Sequence, residues 1–191
     1  EEKIFNTDPG IVDSDMDGYS DGHEVFYLYN PNGREPRRLI DSGKIIEYSN
    51  PTFGYKLYYP VSWAIGNVDK DYRDILFSDI SGENIELRIF DLGFGQSFAD
   101  WFGKWAQTEK YSELQDFTGV FNQIGKKRSD DLVYYFLDSK QNRVYLLVYH
   151  APIGLMTVNF RDIIILMARS LRLSDNTFVK TWPDEVKTTS T

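Results

Sequence analysis

Cysteine is absent from this 191-residue chain, which removes disulfides and thiolate chemistry and leaves the redox compartment undetermined. No apolar run approaches the roughly 18 residues of a membrane-spanning helix. Basic residues are in deficit, with 21 Lys and Arg against 29 Asp and Glu and a net charge of −8. Such a chain lacks the cationic face that phosphates need, so nucleic acid is excluded as a partner. Arg37-Arg38 and Lys126-Lys127-Arg128 are too short to reverse that and read as solvated loops. An initiator Met and a signal peptide are also missing, so the chain reads as a mature protein or an excised piece of a longer one. What remains is 41% hydrophobic and 16% aromatic, a globular composition that can bury one sizeable core plus a smaller appendage.

The acidity is local. Residues 1–35 hold nine acidic and two basic side chains, a net of −7, which leaves −1 on residues 36–191. Within that stretch, residues 13–24 place Asp13, Asp15, Asp17, Asp21 and Glu24 at positions 1, 3, 5, 9 and 12 of a loop, with Gly18 at position 6. This is the spacing of the twelve-residue calcium loop. A dication of calcium's size takes six to eight oxygens at about 2.3–2.6 Å. The alternating Asp residues supply three carboxylates, Tyr19 a backbone carbonyl, Asp21 a direct or water-mediated oxygen and Glu24 a bidentate close. Gly18 permits the positive φ of the sharp turn. As a plain solvated turn the stretch is unfavourable, because like charges about 4 Å apart repel by roughly 1 kcal/mol in water and about 4 at a surface-like dielectric. The predicted ligands are therefore Asp13, Asp15, Asp17, Tyr19, Asp21 and Glu24, and the predicted ion is Ca2+.

An EF-hand needs a helix entering the loop, and Pro9-Gly10 precludes one. A helix is expected only on the exit side, from about Asp21 to Tyr29, stopped by Asn30-Pro31-Asn32-Gly33. The segment "NTDPGIVDSDMDGYSDGHEVFYLYNPNG", residues 6–33, resembles the type 3 thrombospondin repeat-like calcium motif of bacterial cell-surface proteins. It carries that motif's Thr-Asp-Pro, Asp-x-Asp-x-Asp-Gly-x-x-Asp-Gly-x-Glu and Asn-Pro elements. The resemblance implies a calcium-stiffened spacer working outside the cytoplasm, in a family whose repeats usually stand in tandem. Only one complete repeat is present here. Asp8 is a further candidate ligand, although an Asp before Pro more commonly initiates a turn. This calcium-binding segment is assigned residues 1–36.

From Lys44 onward the pattern changes. Strands are expected over 44–48, 55–59, 75–78, 85–90, 131–138, 143–150 and 155–159, with Ile85, Leu87 and Ile89 on one face and a hairpin turn at 139–142. Ser97, with Asp100 three residues on, caps a helix along which Phe98, Trp101, Phe102 and Trp105 recur at core spacing. A closing helix is expected over 161–171, capped by Asn159 with Asp162 behind it and turning Ile163, Leu166, Met167 and Leu171 inward. The fold class is therefore α+β, an antiparallel sheet covered by helices, over residues 44–174. The stretch "YSNPTFGYKLYYPVSW", the central hairpins and the ending "MARSLRL" resemble the PsbP-like fold over about 48–173. That resemblance implies a non-catalytic binding or assembly module and carries no catalytic residues. Residues 175–191 form a C-terminal tail in which Phe178 and Trp182 are candidates for docking on the domain.

Catalysis has no positive support in the sequence. The chain has two histidines: His23 at a non-ligand position of the loop, and His150, which ends a strand and is a candidate general base. No Gly-x-Ser-x-Gly, phosphate-cradling Gly-rich loop or His-Glu-x-x-His occurs. The expected function is a calcium-binding structural or interaction module of a bacterial surface or secreted protein, with an unknown protein or glycan partner at the cell envelope. Two alternatives stand beside it. One is a carbohydrate- or peptide-binding domain using exposed aromatics, drawn from Tyr55, Tyr58, Tyr59, Tyr134, Tyr135, Tyr145 and Tyr149. The other is a hydrolase using His150.

Overall fold

The structure is a computed structural model describing residues 2–33, 37–106, 109–152, 154 and 157–173. Short helices α1 (Glu2–Phe5) and α2 (Asp21–Phe26) flank the acidic loop, and a 3-10 turn follows at Leu39–Ser42. Among the described residues nine strands come next: β1 (Ile45–Ser49), β2 (Lys56–Pro60), β3 (Ala64–Asn67), β4 (Asp74–Ser78), β5 (Asn84–Asp91), β6 (Gln115–Thr118), β7 (Ile124–Lys127), β8 (Val133–Asp138) and β9 (Arg143–His150). Helix α3 (Phe98–Trp105) separates β5 from β6, and α4 (Arg161–Ser170) follows β9.

Strands β1 and β2 form a separate hairpin, and the other seven make one sheet in the order β3-β4-β5-β9-β8-β7-β6. Every neighbouring pair in it is antiparallel. After β5 the chain crosses by way of α3 to the far edge, then meanders back so that β9 seats against β5. The β8–β9 pairing closes at Asp138↔Arg143 around the expected four-residue turn.

Both faces of the sheet are covered, which decides where the aromatics go. On one face Phe77, Ile85, Leu87, Ile89, Tyr134, Phe136, Tyr145 and Leu147 pack with Ile163, Leu166 and Met167 of α4 and with Tyr55 and Leu57 of the hairpin. On the other, Val133, Tyr135, Val144 and Leu146 pack beneath Trp101 and Phe102 of α3. Alternation along β8 and β9 therefore distributes side chains between two cores. Of the seven tyrosines proposed as an exposed platform, only Tyr59 is not fully buried. An exposed aromatic platform needs a solvated sheet face, whereas both faces here are covered.

The α3 start is as expected: Ser97 Oγ accepts from the Asp100 N–H at 3.1 Å, and Asp100 reaches back to the Ser97 N–H. Other expectations need correction. Helix α2 stops at Phe26 and not Tyr29, because Leu28 takes a positive φ of 63° and Tyr29 bridges to Arg38. The start of α4 is Phe160 without a side-chain cap, since Asn159 turns its amide to Glu83. Thr157–Asn159 form no strand; Leu155 and Met156, the rest of that expected element, lie outside the described residues, as do Phe178 and Trp182 of the tail. Strands β3, β6 and β7 were not foreseen.

The acidic segment is not an isolated appendage. Phe5, Val25 and Leu28 belong to the same buried cluster as α4 and the sheet. The apolar side of α2 is thereby fixed to the larger body, which orients the loop that precedes it.

Candidate metal centre

Backbone and side chain build the acidic loop together. Gly18 turns at φ 100°, as its position required, and Met16 takes φ 62° with its side chain exposed. Asp13 accepts from the Gly18 N–H at 2.9 Å and the Asp17 N–H at 3.2 Å, while Asp17 accepts from the Tyr19 N–H at 3.0 Å. Each Asp thus folds the chain around itself while keeping further lone pairs free. Carboxylate oxygens of Asp13, Asp15 and Asp17 all lie within 4.8 Å of one another.

Glu24 of α2 lies outside that cluster of three but feels the charge of its members. Its side chain is completely buried, yet neither carboxylate oxygen has a hydrogen-bond partner, and Asp15 Oδ2 is buried in the same condition. Burial first, then the charges of Asp17, Asp15, Asp21 and Asp13, push the Glu24 carboxyl up to about 9. Burial and its neighbours Asp17 and Asp13 likewise raise Asp15. A sealed carboxylate without donors is costly. The donor set consists of oxygens alone, without thiolate or imidazole, and fits a hard dication.

Asp21 and the side chains around the loop make contacts of their own. Asp21 uses its two oxygens on Ser14, accepting from the N–H at 2.8 Å and from Oγ at 2.7 Å, so it closes the loop upon itself. Tyr19 is buried, its ring stacked near His23. His23 packs between the rings of Tyr19 and Tyr27, and burial lowers its pKa. Asp8 accepts from the Gly10 N–H at 2.9 Å, the turn-forming role.

His150 has a carboxylate behind it, with Nε2 2.8 Å from Glu86 Oε2. Arg88 bonds both Glu86 and Asp74 on the same face. Burial and Glu86 raise the Asp74 carboxyl to about 6 against the pull of Arg88. The nearest serine by register is Ser78, which pairs with Asn84, which in turn pairs with His150. Two strand spacings, about 9–10 Å, therefore separate the backbones that carry Ser78 and His150.

Among the described residues four buried charged side chains escaped the sequence reading: Glu83, Glu86, Arg169 and Arg172. Glu83 is fully buried and gathers donors from Asn159, Tyr149 and Ser81. Arg169 is 8% exposed on α4. Its only sequence signal is the run of six apolar residues before it, Ile163 to Ala168, which marks a helix buried all round.

Comparison with known proteins adds little. No family model matches the chain, and no curated protein does. Among solved structures the chain is similar to cyanobacterial PsbP (CyanoP) from Synechocystis sp. PCC 6803, at 13% identity and a TM-score of 0.42, over 68% of this chain and 92% of that one. At that distance no function and no residue role passes across, and the α+β assignment stands on the chain's own strand order and helix placement.

Proposed function

We propose that this chain is a calcium-binding structural and interaction module of a bacterial surface or secreted protein. The ion orders residues 6–33 against an α+β domain that acts without catalysis and presents a surface to a protein or glycan partner at the cell envelope. The observation that carries this reading is Glu24, a fully buried carboxylate with both oxygens unpartnered, facing the charges of four aspartates. Such a group calls for a cation. Asp13, Asp15, Asp17 and Glu24 would hold the ion, with Tyr19 offering its carbonyl, and Asp21 would brace the loop through Ser14. Bound calcium supplies the positive charge that lets these carboxylates stay ionised side by side. Glu24 then links the site to the core, since Val25 beside it packs in the main cluster.

Limited proteolysis with calcium and with chelator tests the reading. Calcium is expected to protect the bonds around Pro9 and Asn30, chelation to expose them, and Asp15→Ala or Glu24→Ala to mimic chelation while the larger domain stays resistant. Identical cleavage patterns in both conditions would defeat it.

A further inference from the structure

Arg169 is a buried cation without an anion among the described residues. Its guanidinium lies 3.7 Å from the ring centroid of Phe26 and 5.2 Å from that of Tyr27, so α2 covers its face. Stacking satisfies the face of the group but not its edge, where five N–H donors project in the plane. Of these, Nη1 makes one long bond of 3.5 Å to the Thr118 carbonyl, and Nε has no partner. The other buried arginine, Arg172, is stacked in the same way on Phe121 but is also paired with Glu47. Arg169 has no carboxylate among the described residues.

Beside it opens a recess of about 270 Å³, with Phe26 on one side, Ile165 and Arg169 of α4 on another, and Thr118, Lys127 and Tyr134 of the sheet on the third. Two acids also line it, and both are engaged: Asp131 by Lys127 and the Tyr134 hydroxyl, Asp116 by Lys126 at 2.7 Å. The charge left over is that of Arg169. A planar fork with a covered face and a buried, unbonded Nε–H on its edge matches a planar two-oxygen acceptor. The recess is below the usual size of a drug-binding pocket, which limits the guest to a few heavy atoms.

We infer that this recess is a carboxylate-binding site, in which Arg169 takes the two oxygens of a small organic acid or of one acidic side chain from a peptide. Phe26 stands two residues beyond Glu24, so calcium and carboxylate binding reinforce each other; that coupling rests on the calcium reading, while the site itself does not.

The test follows the Arg169 Nε–H resonance of the full chain during titration with acetate, succinate and a blocked Gly-Glu-Gly peptide, with calcium or with chelator and with chloride as control. A saturable shift of that resonance at up to tens of millimolar carboxylate is expected, without a matching response to chloride. Response to acetate and succinate alone identifies a free small acid as the guest, and response to the peptide as well identifies a protein side chain. Arg169→Gln, checked for folding by circular dichroism, should weaken binding at least about tenfold, as loss of a charge-assisted hydrogen bond implies. An Nε–H that stays unmoved by every carboxylate overturns the inference, and this reading needs no variant to fold. Binding that is the same with calcium and with chelator overturns the coupling alone, while leaving the carboxylate site in place.

Discussion

Glu83 shows how much one side chain can organise. It sits at the turn between β4 and β5 with no exposure, and accepts from the Asn159 N–H at 3.1 Å, Asn159 Nδ2 at 2.8 Å, Ser81 Oγ at 3.1 Å and the Tyr149 hydroxyl. Burial alone would raise its carboxyl; the bonds from Tyr149, Asn159 and Ser81 outweigh it and hold the group below the usual 4.5. A folded-state value below the unfolded one means that the stabilisation is present above about pH 4.5 and lost as pH falls through the lower, folded value. Urea unfolding across this acid range should show that loss, and Glu83→Gln should flatten it while costing about 2 kcal/mol at neutral pH, since an amide cannot accept all four bonds. Superimposable pH profiles for the two proteins would dismiss the role. Nothing in the sequence around Glu83 announces this, because its partners at 149 and 159 arrive only through the sheet and the approach to α4.

Among the elements, α3 and the two outermost strands at the β6 edge make a useful contrast. The start of α3 was legible because Ser97 and Asp100 act locally, and so was its aromatic stripe. What the stripe covers was not. Phe102 is fully buried on the second face of the sheet, whereas Trp105 is 39% exposed and stacks on Trp101. Phe102→Ala should therefore cost about 3–5 kcal/mol by leaving a cavity, and Trp105→Ala clearly less, as read by chemical denaturation; equal losses would contradict the packing described. Strands β6 and β7 escaped notice for a physical reason. They are four residues each, rich in polar groups, and β7 carries Gly125, where a Cβ would lie 2.6 Å from the Tyr135 carbonyl. Close backbone approach demands that glycine, but in the sequence a glycine signals a break.

At the scale of the whole molecule, the main core joins the N-terminal segment, the hairpin, the sheet and α4. Phe5, Val25 and Leu28 share it with Met167 and Leu147. Ordering of the acidic loop is thus connected to the stability of the body on which α2 rests. Calcium at ten times its dissociation constant should add about 1.4 kcal/mol. For a chain of this size that corresponds to a rise of roughly 3–6 °C in the melting midpoint. Scanning calorimetry with calcium and with chelator measures it, and an unchanged midpoint would separate the loop from the fold energetically.

The acidic loop, its glycine turn, the capping of α3, the β8–β9 hairpin and the α+β class could all be read from the chain alone. The loop, the turn, the cap and the hairpin turn each depend on residues within about a dozen positions of one another, the range over which turn chemistry and capping act, and the class follows from the order of such local elements. Tertiary structure alone decided that both sheet faces are covered, that six of the seven tyrosines lie inside, and that among the described residues Glu24 is sealed without a donor and Arg169 is stacked without a carboxylate. Those facts concern which distant surface lies over each side chain, and water is excluded only when segments far apart in the chain meet.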